Sequence, residues 1–111
     1  EARTAVAITV WPDGEGRGPA RSAQLVCDPV AGTLPDPERA CAVLASSAGR
    51  DALAPVPADV PCTEIYGGPA EARIVGTVDG EAVDARLSRA NGCEIARWTA
   101  LDPLLAGHDA A

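Results

Sequence analysis

Apolar and polar side chains alternate at the start of the chain. In Thr4-Ala-Val-Ala-Ile-Thr-Val-Trp11, Val6, Ile8 and Val10 share one face at period two, which predicts a strand over 4–11. Pro12 to Pro19 encloses Asp13, Gly14, Gly16 and Gly18 and reads as a turn or loop. Residues 20–27 follow as a second short strand, with Leu25 and Cys27 on one face. Strands this close in sequence are expected to be antiparallel neighbours. After a loop over 28–36, Asp36-Pro37-Glu38 opens a helix, with Asp36 as cap and Pro37 at the first helical position. Cys41, Leu44, Ala45 and Ala48 recur at three and four as one apolar stripe, and Gly49 is the expected stop.

Residues 50–70 carry no periodic pattern. Pro55, Pro57, Pro61 and Pro69 break the stretch and Gly67-Gly68 loosens it. A long irregular segment in a small domain is usually functional or disordered, and a bridged Cys62 would exclude disorder. Alternation then resumes. Ala72, Ile74, Gly76 and Val78 face one way, Asp79-Gly80 signals a two-residue hairpin, and Val83, Ala85 and Leu87 line the return strand. Asn91-Gly92 reads as another turn. Ile95, Trp98, Leu101 and Leu105 suggest a short second helix, interrupted at Pro103; residues 107–111 should fray. No repeat or linker divides residues 1–111, which read as one α+β domain: an antiparallel sheet with one clear helix and a second, shorter one.

Composition narrows the setting. Aromatics are few (Trp11, Tyr66 and Trp98), Ala is the commonest residue, and Phe, Met and Lys are absent. An Ala buries little area. At roughly 25 cal/mol per Å² such a core is marginal against chain entropy, and small domains in that position are usually stapled. Cys27, Cys41, Cys62 and Cys93 are the available staples, with three pairings open. A stripe cysteine at 41 facing a strand that ends at Cys27 makes a 27–41 bridge easy. Zinc is disfavoured because no pair has C-x-x-C spacing and the only histidine, His108, lies in the tail. Two disulfides place the protein in an oxidising compartment, hence secreted. No basic stretch followed by an apolar run opens the chain, so it reads as a mature form after export. No apolar run approaches the roughly 18 residues of a membrane span. A net charge of −7 without a basic stripe argues against nucleic acid.

No constellation for catalysis emerges. His108 sits where nothing would orient it, and Ser22, Ser46, Ser47 and Ser88 have no motif around them. Asp79 and Glu81 flank a turn. Gly14-Glu-Gly-Arg-Gly18 precedes no helix and matches no phosphate loop. No catalytic residue, metal or cofactor is expected. The informative stretch is Val60-Pro61-Cys62-Thr63-Glu64-Ile65-Tyr66-Gly67-Gly68-Pro69, a proline-bounded loop with a cysteine inside it. A loop held in one conformation lowers the ordering cost of binding a partner. The competing reading is a tethered connection with no partner.

Cys62-Thr-Glu-Ile-Tyr66-Gly-Gly-Pro69 and Asn91-Gly-Cys-Glu-Ile95, together with Leu25-Val-Cys-Asp-Pro29, Gly32 and Ala40-Cys-Ala-Val-Leu44, resemble the Streptomyces subtilisin inhibitor family. The resemblance runs from about Val6 to Trp98. It implies a secreted inhibitor of serine endopeptidases, subtilisin-like ones foremost, with a five-stranded antiparallel sheet, two helices and a homodimer. It implies bridges Cys27–Cys41 and Cys62–Cys93, and a reactive loop formed by Val60, Pro61, Cys62, Thr63, Glu64, Ile65, Tyr66 and Gly67. Glu64 would then enter the primary specificity pocket of the protease, and the bond at stake would be Glu64–Ile65. Family members often carry Met, Lys or Arg at that place. A glutamate there also fits a glutamate-specific serine protease, and a secreted metalloprotease is a further alternative target. This chain also has an extra glycine after Tyr66 and a different C-terminal tail.

Overall fold

A computed structural model describes residues 3–105. His108 and the 107–111 segment lie outside the described residues. The two strands expected at the start are present, β1 (Thr4–Trp11) and β2 (Arg21–Cys27). They pair antiparallel, with Val6 opposite Leu25 and Ile8 opposite Ala23. A two-residue strand, β3 (Ala31–Gly32), adds to the outer edge of β2. The chain then passes through α1 (Pro37–Ala45) and α2 (Ser47–Ala52) and returns as β4 (Glu71–Val78), β5 (Glu81–Leu87), α3 (Gly92–Ala100) and α4 (Asp102–Leu105). The sheet is antiparallel throughout in the order β3-β2-β1-β4-β5, so the first strand becomes the central one. This is the five-stranded sheet the resemblance implies.

Strand alternation decides which face is covered. Val6, Ile8 and Val10 of β1, Leu25 of β2, Ala72 and Ile74 of β4, and Ala85 and Leu87 of β5 are buried on one face. The helices cover it: α1 packs on β2 and α4, α4 on β1, and α3 on β5 and α2. The largest fully buried side chains are all aliphatic: Ile8, Leu25, Leu44, Ile74, Leu101, Leu104 and Leu105. Each contributes about 1.5–3 kcal/mol relative to exposure. Of the two tryptophans, Trp98 is buried and Trp11 half-buried. The β4–β5 hairpin turns at Asp79-Gly80, whose φ values of 51° and 84° are the pair of positive angles that a type I′ turn requires. The Cys27–Cys41 bridge spans 5.8 Å between Cα atoms and fastens the end of β2 to α1.

Each helical region is broken once; the first break differs from the sequence expectation, and the second falls near Pro103 as expected. Asp36 caps α1 as predicted, accepting from the Arg39 N–H at 3.2 Å. The predicted stripe, however, does not run to Ala48. Ser46 leaves the helix in an extended conformation; its hydroxyl donates to the Val43 carbonyl at 2.7 Å and accepts from the Gly49 N–H at 3.0 Å. One side chain thus closes α1 and opens α2. The buried face of α1 is Ala40 and Leu44, while Ala45 and Ala48 are exposed. Gly49 is not a stop but a buried residue inside α2, and an added Cβ there would collide with the Val43 carbonyl oxygen. Residues 50–52, read as irregular, complete α2.

A second difference from the sequence expectation concerns Asn91-Gly92, read as a turn. Asn91 is instead the cap of α3, its Oδ1 accepting from the Glu94 N–H at 3.0 Å. Capping explains why the helix begins before Ile95. Pro103 sits in the first turn of α4, where its missing N–H leaves no hydrogen bond unmade, so it starts a new segment after Leu101. Arg97 joins the two helical regions: its Nε donates to the Ala52 carbonyl at 2.8 Å and its guanidinium pairs with Glu94 at 2.9 Å.

The Gly49 contact gives a direct check. Gly49→Ala is expected to lower the urea unfolding midpoint, at a cost of about 1–3 kcal/mol from overpacking. At an exposed helical position the same change would stabilise by up to about 1 kcal/mol.

Candidate functional site

The stretch from α2 to β4 contains no strand or helix after Ala52. Its order comes from outside. The Val60 N–H donates to the Pro57 carbonyl at 3.1 Å, a local turn ahead of Pro61. Cys62 is bridged to Cys93 across 5.3 Å between Cα atoms, which fixes the loop to the first turn of α3. One residue further, the Gly92 N–H donates to the Thr63 carbonyl at 3.0 Å. This contact requires close approach, because a Cβ on Gly92 would collide with Thr63 Oγ1.

A second fastening lies at Gly67. Its N–H donates to the Arg89 carbonyl at 2.7 Å, and its own carbonyl accepts from Arg89 Nε at 2.9 Å. Gly67 is also closely packed, though less tightly than Gly92. An added Cβ would stand 2.9 Å from Ile95 Cδ1 and 3.1 Å from Arg89 Cβ. The Arg89 guanidinium is itself placed by Trp98, with its central carbon 5.7 Å from the ring centroid, within cation–π range. Beyond Gly67, Pro69 runs past Gly14, and Glu71 accepts from the Glu15 N–H at 2.7 Å as β4 begins.

Three residues lie between the two fastenings, and all three face solvent. Ile65 is 62% exposed and Tyr66 67%, and Glu64 is exposed beside them. Among the described residues the Glu64 side chain makes no hydrogen bond or ion pair. Val60, at 43%, adds a further exposed aliphatic group at the loop's entrance. Three of the five large hydrophobics that the described fold leaves exposed are therefore in this one loop. Pro61 and Thr63 are also exposed, and Cys62 and Gly67 are half-buried.

The sequence-predicted loop residues are thus brought together as one surface. Sequence reasoning missed what lies beneath them. Arg89 and Gly92 hold the loop by hydrogen bonds beside the Cys93 bridge, and Asn91, read as a turn residue, caps the helix that carries Cys93. The available signal was Asn91-Gly-Cys-Glu94, where an Asn followed three residues later by Glu is a helix-start signature. Nothing in the sequence marks Arg89. All four cysteines are in disulfides, paired Cys27–Cys41 and Cys62–Cys93. No helix among the described residues is long and apolar enough to cross a membrane. The arrangement offers a rigidly framed peptide segment rather than a nucleophile beside a base.

Comparisons with known proteins agree with this geometry. The family profile described as "Subtilisin inhibitor-like" matches residues 2–91. "Subtilisin inhibitor-like protein 1" of Streptomyces cacaoi is 34% identical over 103 residues, covering 89% of this chain and 93% of its own. Among solved structures, Streptomyces caespitosus sermetstatin, determined in complex with Bacillus licheniformis subtilisin, superposes with a TM-score of 0.59 at 25% identity, over 92% of this chain and 96% of that one. With profile, relative and structure all spanning most of its length, the chain belongs to the subtilisin inhibitor-like family.

Proposed function

We propose that the chain inhibits serine endopeptidases of the subtilisin class by presenting residues 60–67 to the protease active site, with Glu64–Ile65 as the bond offered for cleavage. The family is one of protease inhibitors, not of enzymes, and a structural relative has been solved bound to subtilisin. The observation that carries the reading is the double fastening: Thr63 to Gly92 and Gly67 to Arg89, with Glu64, Ile65 and Tyr66 outward between them.

The mechanism follows from that frame. The protease serine attacks the Glu64 carbonyl carbon as it would a substrate's. A C–O bond forms, the C–N bond to Ile65 breaks, and the serine proton passes through the protease histidine to the Ile65 nitrogen. In a free peptide the new amine diffuses away. Here both ends stay attached to the 89–93 segment, so the amine remains beside the ester and re-forms the peptide bond faster than water hydrolyses the acyl-enzyme. High effective concentration of a held nucleophile is the physical basis. Residues 60–62 would lie along an edge of the protease cleft as an added strand, in a contact of roughly 1,600 Å².

Glu64 favours one refinement. A carboxylate entering an apolar pocket loses its hydration at a cost of several kcal/mol unless a partner meets it. With no internal partner, Glu64 presents its charge to whatever protease binds, which suits a glutamate-specific enzyme with a basic or polar pocket. The two disulfides favour a secreted protein in an oxidising compartment.

We also infer a homodimer through the uncovered sheet face. The small residues Ala5, Ala7 and Thr9 run down the central strand there, beside Val75, which is 40% exposed. At one side Arg73 forks onto Asp84 at 2.8 and 2.7 Å. That hydrogen-bonded pairing holds the Asp84 carboxyl below its ordinary range and raises Arg73. The pair stays charged but mutually satisfied, which lowers the desolvation cost of covering this face.

Two measurements check these readings. Titrating Bacillus licheniformis subtilisin and a glutamate-specific serine protease with the protein should abolish the activity of at least one stoichiometrically, with slow cutting at Glu64–Ile65. Glu64→Met should tighten binding to subtilisin about ten- to a hundredfold, the desolvation cost being removed. Full inhibition by Glu64→Pro, or rapid complete cutting of the loop, would overturn the assignment of the site. Sedimentation at micromolar concentration should return twice the chain mass, and Ala7→Arg the monomer; a wild-type monomer would refute the dimer.

A further inference from the structure

We propose that Arg89 is a positioning residue for resynthesis of the cut bond, holding the new amino end at residues 65–67 in place through the Gly67 carbonyl. The inference rests on the inhibitory reading above and deepens it. After cleavage the two new ends are not equally secured. The acyl side keeps a covalent tether, Cys62–Cys93, one residue from the Thr63–Gly92 hydrogen bond. The bridge also keeps the leaving-side fragment attached through Cys93, but no cysteine lies beside its new amino end at residues 65–67. The first contacts that hold it beyond Ile65 are the two hydrogen bonds at Gly67, and Arg89 supplies both, one from its backbone and one from its side chain.

The side-chain bond is the stronger kind, because a guanidinium N–H to a carbonyl is charge-assisted. It is also built rather than incidental. The cation rests over the face of buried Trp98, which restricts where the guanidinium can go. Among the described residues no carboxylate pairs with Arg89, so its charge is directed to Trp98 and Gly67. Gly67 lacks the Cβ that would push against Arg89 Nε at 3.1 Å. The role assigned to Arg89 needs no contact with the protease or the reacting atoms. Arg89 acts by keeping residues 65–67 docked, so that the Ile65 amine can attack the Glu64 acyl carbon. In that step the C–N bond forms, the ester C–O bond to the protease serine breaks, and the amine proton returns to the serine oxygen through the protease histidine.

The test uses the intact protein with Bacillus licheniformis subtilisin. Wild type, Arg89→Met and Arg89→Lys are incubated with catalytic amounts of protease, and the ratio of cut to intact chain at equilibrium is read by mass spectrometry. The isolated cut form is then re-exposed to protease and its return to the intact form is timed. Arg89→Met keeps the stem on Trp98 and the backbone bond, and removes only the charged donor. It should raise the cut-to-intact ratio about tenfold and slow resynthesis about as much, the loss of one charge-assisted hydrogen bond. Arg89→Lys should restore part of the effect. Gly67→Ala, which displaces the guanidinium without deleting it, should shift the ratio the same way, and it stands in if Arg89→Met does not fold. A merely structural role would lower the melting temperature and leave both the ratio and the resynthesis rate at wild-type values; that result overturns the proposal. Wild type that is not cut at Glu64–Ile65, or does not inhibit, would instead overturn the inhibitory reading, and this proposal with it.

Discussion

The bridge between Cys62 and Cys93 closes a loop 31 residues long that contains the whole of β4 and β5. In the chain-entropy picture a closure of that size stabilises by about 3–4 kcal/mol, a large share of what a domain of this length usually has. Its local effect matters as much. The irregular chain before β4 has no ladder of its own, and without the bridge nothing covalent would hold it against α3. With it, the Thr63 carbonyl meets Gly92 and the Gly67 backbone meets Arg89, so a segment without secondary structure is held from both ends. The rigidity of residues 63–67 comes from their neighbours, not from the residues themselves.

The same economy recurs across the molecule. Every basic side chain is an arginine. Several work as clips between elements: Arg73 on Asp84 across β4 and β5 and Arg97 on Glu94 and the end of α2, each through more than one donor, and Arg89 on Gly67 through Nε. A planar guanidinium can satisfy several acceptors in fixed directions, which a lysine ammonium cannot. In a core built from aliphatic and small side chains, such polar clips carry orientation that bulky aromatics carry elsewhere.

Much of the fold was legible in the chain because its signals are local. Val6, Ile8 and Val10, the Asp79-Gly80 turn and the Asp36-Pro37 start each depend on neighbours a few residues away, and each structural counterpart matches. The misreadings involve residues with two roles. Gly49 looks like a stop because glycine commonly ends helices; here it is the only size that fits under Val43. Asn91-Gly92 looks like a turn because both residues favour turns; here the first caps a helix and the second makes room for Thr63. In the candidate site, the outward residues were legible from prolines, a cysteine and resemblance. The inward ones were not, since Arg89 is recognisable only once β5 has brought it beneath a loop 22 residues earlier.

The double fastening has a consequence for how such a protein can change over generations. Glu64, Ile65 and Tyr66 give no side-chain hydrogen bond or ion pair to the described frame, and none of them belongs to its core. Substitution there alters the face shown to other molecules while leaving the hydrogen bonds at 63 and 67 untouched. Residues 89, 92 and 93 have no such liberty, because Arg89 meets both backbone groups of Gly67, Gly92 meets the Thr63 carbonyl, and Cys93 is bridged to Cys62. Mutational drift is therefore cheap at three adjacent positions and expensive directly beneath them. A lineage facing a changing set of partners can revise those three letters one at a time without ever passing through an unfolded ancestor.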